Sequence, residues 1–405
     1  MGSSCLQPSV MTSNAAARSD RAIRVTTPRQ PISLANPDAV AVAIPYLLGF
    51  RPEDSVVLLW IADGRLALTQ RVDLPEGELS AEHQAEFLGA LLNSGWDTKA
   101  HSVIACVISQ PSQCPAPTPG PGDSGELRGT HLMVGLAKCL QERGVHLLDA
   151  LLIEQQSQGP TRWWSYLCEE TCCPRQGREV PESVRLGIAA AFTLEGFAVA
   201  NSRTDIVQSL HADPSLVQQL AEHLRQRSIP TEPTALERWR TVQLAKTRQI
   251  LGLTVSGSPV HPAALTDPRR PTLSVRQLGE VLHSIGDVRV RDCVLWSLSR
   301  AGDLRGVMPP LMESLRAAPD AWVPPMSCCV AVATWLTGDG ARASIALERA
   351  LTVEPGYSLA RLLDLALRSG MPPTRWAAMM AGLSEQDCRG GTLDDEGLPG
   401  SARAL

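Results

Sequence analysis

A chain of 405 residues with 44% hydrophobic and 20% charged content is longer than one hydrophobic core usually serves, so two globular domains plus tails are expected. No run approaches the roughly 20 apolar residues that cross a bilayer, which argues against a membrane-spanning helix. A net charge of -5 argues against a general nucleic-acid binder and leaves only a local basic face open.

Eleven cysteines form an odd set scattered through a long chain, and the first residues lack an apolar signal core. They read as reduced thiols, so a cytoplasmic location is expected. The opening Met-Gly is not a myristoylation signal because Leu6 stands where Ser or Thr is wanted. Met1 and Met11 both remain candidate starts. Lysine occurs only at Lys99, Lys138 and Lys246, which with abundant Ala, Gly and Pro suggests a high-GC bacterial genome.

In chain order, residues 1–32 are polar and without period, and are expected to be a disordered tail. Asn36-Pro37-Asp38 opens a helix with a capping amide, a proline at the first helical position and a carboxylate near the positive helix end. Pro45 is expected to kink it and Gly49 to end it. Ser55–Ala62 is a continuous apolar run suited to a strand buried on both faces. Asp63-Gly64 supplies a two-residue turn, and Arg65–Leu74 then alternates, so a hairpin follows. Ser80 caps a second helix through Phe87, Leu88, Leu91 and Leu92. Ser102–Ser109 is another buried strand, Glu126–Arg143 a third helix and Val145–Glu154 a further strand. The later strands are expected to run parallel, and a helix over 182–193 completes the layer.

Beyond Asp213 strand signals vanish. Leu216–Leu224 and Ala235–Leu251 read as helices, the four prolines of 252–272 as a linker, and 274–285, 288–299 and 306–317 as further helices. Gly338-Asp339, Ala343, Leu347, Ala350-Leu351 and Pro355 reproduce the second helix of a tetratricopeptide unit, with Trp335 on the helix before it.

Chemistry is sparse. Trp163, Trp164 and Tyr166 stand beside Cys168, Cys172 and Cys173; three thiolates with a fourth ligand such as His146, His211 or Cys139 would suit zinc, although the spacing is not that of common zinc modules. The plainer reading makes the thiols and aromatics packing groups. Gly122-Asp123-Ser124-Gly125 resembles a serine-protease nucleophile motif, but in a Pro/Gly loop of a chain with no β-barrel pattern nothing would hold the serine at a base. Phosphate-cradling and dinucleotide-binding glycine patterns are absent from the sequence. Arg51, Glu53, Asp54, Arg71 and Asp73 fall at the turns of the hairpin, where they form either a charged ligand pocket or ordinary surface pairs. Arg225, Arg227, Arg238, Arg240, Lys246 and Arg248 surround Trp239, a basic helical face diluted by Glu232 and Glu237.

Four segments, PYLLGFRPEDSVVLL, TQRVDLP, RWWSYLCEETCCPRQG and VATWLTGDGARASIALERALTVEPGYSLARLL, resemble in the same order segments of an actinobacterial family of domains of unknown function. The resemblance spans about residues 33–380. It implies a cytoplasmic bacterial protein with an α/β part followed by a helical part, and carries no catalytic residue with it.

The resulting expectation is a mixed-sheet α/β domain followed by an α-helical, TPR-like domain. Its parts are a disordered tail (1–32), an α/β domain (33–212), a helical connector (213–252), a linker (253–272), the TPR-like domain (273–385) and a second tail (386–405). The function expected is a non-enzymatic binding or scaffold protein with a protein partner, anchored by Trp322, Trp335 and Trp376. A metal-binding or enzymatic protein using the Cys168–Cys173 segment, with zinc as the cofactor in question, is the first alternative. Nucleic-acid association through 223–248 is the second. No other cofactor is expected.

Overall fold

The computed structural model describes residues 24–25, 32–34, 36–77, 79–93, 99–111, 114, 126–154, 159–167, 176–194, 197–253 and 273–390. They divide into two compact units, the first ending at Arg203 and the second beginning at Thr204. The helices over 213–252, expected to be a connector, thus belong to the second unit.

The first unit is built on one mixed sheet. Its strands are β1 (Arg24–Val25), β2 (Ile32–Ser33), β3 (Ser55–Ala62), β4 (Arg65–Asp73), β5 (Ser102–Ser109), β6 (His146–Glu154), β7 (Arg162–Ser165) and β8 (Arg178–Glu179). Their order across the sheet is β2-β1-β4-β3-β5-β6-β7-β8. The helices of this unit are α1 (Pro37–Leu48), α2 (Ala81–Asn93), α3 (Thr130–Glu142) and α4 (Glu182–Leu194).

The hairpin forms as its sequence directs. Asp63 and Gly64 both take positive φ, 50° and 72°, the pair of left-handed values whose twist matches the two strands. The antiparallel ladder from Ser55–Asp73 to Ala62–Arg65 carries one irregularity, where Ala67 is the extra residue between Leu66 and Leu68. β3 and β5 are antiparallel, β5 and β6 parallel across α3, and β6 and β7 antiparallel again. The parallel relation expected for the later strands therefore holds for β5 and β6 and ends at β7. The short strand β7 was legible only as an aromatic cluster; its Trp163 and Trp164 point to opposite faces because successive strand residues do.

Period two explains the two cores. Val56, Leu58, Trp60, Val103, Ala105, Val107, Leu152 and Trp164 face Leu88, Leu91 and Leu92 of α2 and Leu132, Met133, Leu136 and Leu140 of α3. The alternate residues, Val57, Leu59, Ile104, Cys106, Leu151 and Ile153, are equally buried on the other face. α1 and α4 pack together with Tyr46 stacked on Phe192 at 5.0 Å, and the Trp163 indole donates to Asp38 of α1 at 2.7 Å. Asn36 caps α1 by accepting from the Ala39 N–H, and Gly49 closes it at φ 78°. Helix α1 contains Pro45 and runs on to Leu48, at the loss of the one internal bond that the missing proline N–H would make.

The second unit is helical: α5 (Arg203–Ser209), which straddles the boundary, α6 (Pro214–Arg225), α7 (Pro233–Leu251), α8 (Val275–Ile285), α9 (Val288–Arg300), α10 (Met308–Arg316), α11 (Val323–Leu336), α12 (Gly340–Val353), α13 (Ser358–Arg368), α14 (Pro373–Ala381) and α15 (Glu385–Cys388). Every residue of α11 from Val323 to Trp335 is buried, as expected of a helix apolar all round and enclosed by neighbours. Helices α9, α10, α12 and α13 pack on it. Gly338 at φ 86° makes the tight turn into α12, whose N-terminus Asp339 caps through the Arg342 N–H at 2.9 Å. Ala343, Ala346, Leu347 and Ala350 form its buried face.

Candidate functional site

The charged turns gather at one end of the sheet, where β3 begins, β4 and β5 end, and β6 delivers its carboxyl end. That is where open α/β sheets place their ligands. Asp54 sits there in left-handed conformation, φ 35°. Arg128 reaches it from the start of α3, pairing with the Asp54 carboxylate and donating to Ser109 Oγ at 2.8 Å. The Tyr166 hydroxyl donates to the Arg128 carbonyl, and Gln110 donates to Asp54 at 3.4 Å. Ser109 and Glu154 are buried. Arg162 lies 3.9 Å from Glu154 and 3.8 Å from Glu179.

Burial shifts two weak acids of this cluster, the Cys114 thiol and the Tyr166 phenol, toward their neutral forms. The Cys114 thiol is pushed up to about 12 by desolvation and then by the Glu154 charge. Burial likewise drives the Tyr166 phenol upward. Both stay protonated at neutral pH, so neither is an activated nucleophile.

Arg71 and Asp73 form a separate tie at the same end. Arg71 pairs with Asp73 at 2.5 Å and donates to Ser55 Oγ at 2.8 Å, with its guanidinium 6.0 Å from the Phe50 ring. Glu53 enters only through its backbone carbonyl, 2.5 Å from Ser55 Oγ, and the Arg51 N–H bonds to the Ala200 carbonyl at 3.1 Å. The charged turns thus converge as pairs that fix the hairpin to its neighbours. Arg128, Ser109 and Glu154, absent from the sequence-based candidates, are as central as any that were.

Trp163 and Trp164 are buried. Arg178 lies 5.7 Å from the Trp163 ring, and Gly177 passes so close to Trp164 that a Cβ there would stand 2.7 Å from the indole. Cys168, Cys172 and Cys173 lie outside the described residues, as does Gly122-Asp123-Ser124-Gly125. Among the described residues, no group of three or more His, Cys, Asp or Glu side chains could hold a metal ion.

On the basic segment 223–248, Arg227, Arg240, Lys246 and Arg248 are turned to internal use, while Arg238 is exposed. Arg227 pairs with Glu280 at 3.1 Å, Arg240 with Asp287 at 3.0 Å and Glu237 at 2.7 Å, Lys246 with Glu280 at 3.8 Å, and Arg248 with Glu385 at 3.0 Å. Trp239 lies edge-on to His283 at 5.2 Å. Of the tryptophans expected to anchor a partner, Trp335 is core and sits 6.1 Å from Trp376, whose indole N–H donates to Ser299 at 2.8 Å. Trp322 is half-buried beside Gly286.

A different surface of the helical unit is open. Helix α13, SLARLLDLALR, buries only Ala360 and Leu363, while Leu362 and Leu365 are 50% and 65% exposed. At 100° per residue these two lie on one outward stripe, three positions apart. Arg361 and Arg368 are exposed along its border, Arg368 pairing with Asp364 at 2.7 Å. The apolar arc of α13 is wider than the contact it makes within the unit. Nothing in the sequence distinguishes such an arc from an ordinary core-facing one.

A sequence profile described as Domain of unknown function (DUF4192) matches residues 37–374. No curated protein and no solved structure matches the chain significantly.

Proposed function

The chain belongs to that family of domains of unknown function, and we propose that it is a cytoplasmic, non-enzymatic binding or scaffold protein whose helical unit docks a segment of a protein partner on α13. The observation that carries this reading is the exposed pair Leu362 and Leu365 on a helix that is held to its unit through Ala360 and Leu363. Surface leucines that are adjacent along one helical stripe are where a partner helix gains most by leaving water. Arg361 and Arg368 on the border select a partner segment that is amphipathic and acidic at its edge. The TPR-like reading of α11 and α12 agrees with a scaffold role, since helical-hairpin arrays present open helix faces to other chains.

The test is site-specific photo-crosslinking from position 365 of the intact chain in its native cytosol, with the captured segment identified by mass spectrometry. The reading expects one dominant acidic amphipathic segment, lost in Leu362→Glu/Leu365→Glu with the thermal midpoint unchanged. Capture of unrelated or basic segments, or capture indifferent to the double substitution, would refute it.

A further inference from the structure

We propose that the outer edge of β4 is a second docking site, which receives an extended segment of another protein as an added antiparallel strand along Thr69–Asp73. The occupant has apolar side chains at alternate positions and a basic residue at its N-terminal end.

The backbone sets the requirement. Inside the sheet β4 pairs with β3 along its whole length, but on its outer side β1 contributes a single bridge, Arg24 to Arg65. The Leu74 N–H bonds to the Asp54 carbonyl at 2.7 Å, which fixes the phase of the antiparallel ladder. Even-numbered residues there turn their backbone groups toward β3, and Thr69, Arg71 and Asp73 turn theirs outward. Among the described residues no backbone group meets the outward N–H and C=O groups of these three. Six such groups alternating along one line are matched by the backbone of another extended strand.

Proteins blunt a bare edge with bulges, prolines or outward charges. Here the irregularity at Ala67 lies before the open stretch, no proline falls within β4, and Arg71, the cation placed to guard the edge, is folded back onto Ser55 and Asp73. Among the described residues, the stretch from Leu68 to Val72 is therefore regular and without an outward charge, with exposed charge at its Asp73 end, and it fits an added strand of about six residues.

Side chains specify the occupant further. Leu68 and Val72 are only partly buried against the core of the α2 and α3 face, as is Phe87 nearby in α2. Between them Gln70 is held by the Trp60 indole at 3.0 Å and the Leu91 carbonyl at 2.8 Å. Apolar side chains at alternate positions of an added strand continue that half-covered surface. At the Asp73 end, Asp73 is 83% exposed and Glu76 is exposed. In the antiparallel sense this end meets the occupant's N-terminus, where a lysine or arginine finds opposite charge.

The experiment uses the intact chain and the blocked hexapeptide Lys-Val-Thr-Val-Thr-Val, read by hydrogen–deuterium exchange of the segment containing Thr69–Asp73. Exchange there is expected to slow with added peptide and saturate. The same peptide N-methylated at alternate residues, which keeps the side chains and removes donors, is expected to give no slowing. Glu76→Lys is expected to weaken binding up to about fivefold at low salt, with an unchanged circular dichroism spectrum. No slowing at millimolar peptide, or equal slowing by the N-methylated form, would overturn the proposal. Slowing that rises with protein concentration and needs no peptide would overturn the assigned occupant, since a second copy of the chain would then fill the edge.

Discussion

His283 shows how a residue's setting decides its chemistry. Burial and the nearby Arg227 hold its pKa below the usual histidine value, with His223 adding to the same direction and Glu280 opposing it. Above about pH 6.5, the unfolded value, neither state binds the proton and stability is complete. As pH falls below it the unfolded chain takes up a proton that the folded one refuses, so stability declines until the lower folded pKa is reached. Urea denaturation between pH 7 and 5 should therefore show a fall that is reduced in His283→Phe. An identical slope in both would remove His283 as its source. Gly177 and Gly144 offer a second comparison. Both are left-handed, φ 76° and 69°, but only Gly177 has the Trp164 indole where a Cβ would go. Gly144→Ala is expected to cost about 1–2 kcal/mol from backbone strain alone, and Gly177→Ala more, measured by thermal unfolding. Equal losses would mean that the indole yields freely.

Elements differ in how far the sequence foretells them. The β3–β4 hairpin was legible because Asp63-Gly64 states its turn, and α1 because Asn36 and Gly49 state its ends. β7 was not, because four residues with tryptophans on opposite faces carry no readable period. Arg128 eluded the sequence for another reason: its partner Asp54 is 74 positions away, and only the return of α3 to the end of β3 brings them together. Cysteine spacing likewise says nothing of burial, which is what makes Cys114 unreactive. Between the sheet and α3, Leu136 is wholly buried, so Leu136→Ala should cost about 2–5 kcal/mol. A smaller loss would show that the α2 and α3 layer repacks. At the start of α6, Asp213 accepts from the Ser215 and Leu216 N–H groups, and Asp213→Ala should remove about 1 kcal/mol.

For the whole molecule, the succession of strand and helix patterns foretold an α/β part before a helical part, and the divide at Arg203 and Thr204 falls close to where strand signals stop. What those patterns left open is which surfaces are spent on the fold and which are spare. Most charged groups at the sheet end and on 223–248 turn out to be engaged with one another, whereas Leu362 and Leu365 remain in water. The measurement that tests this most directly is titration of the intact chain with the partner segment recovered by crosslinking, for the wild type and for Leu362→Glu/Leu365→Glu. The account predicts saturable binding that weakens at least about tenfold in the double variant, a loss of about 1.4 kcal/mol, with folding intact. Equal affinity in the two proteins would place the partner elsewhere and contradict it.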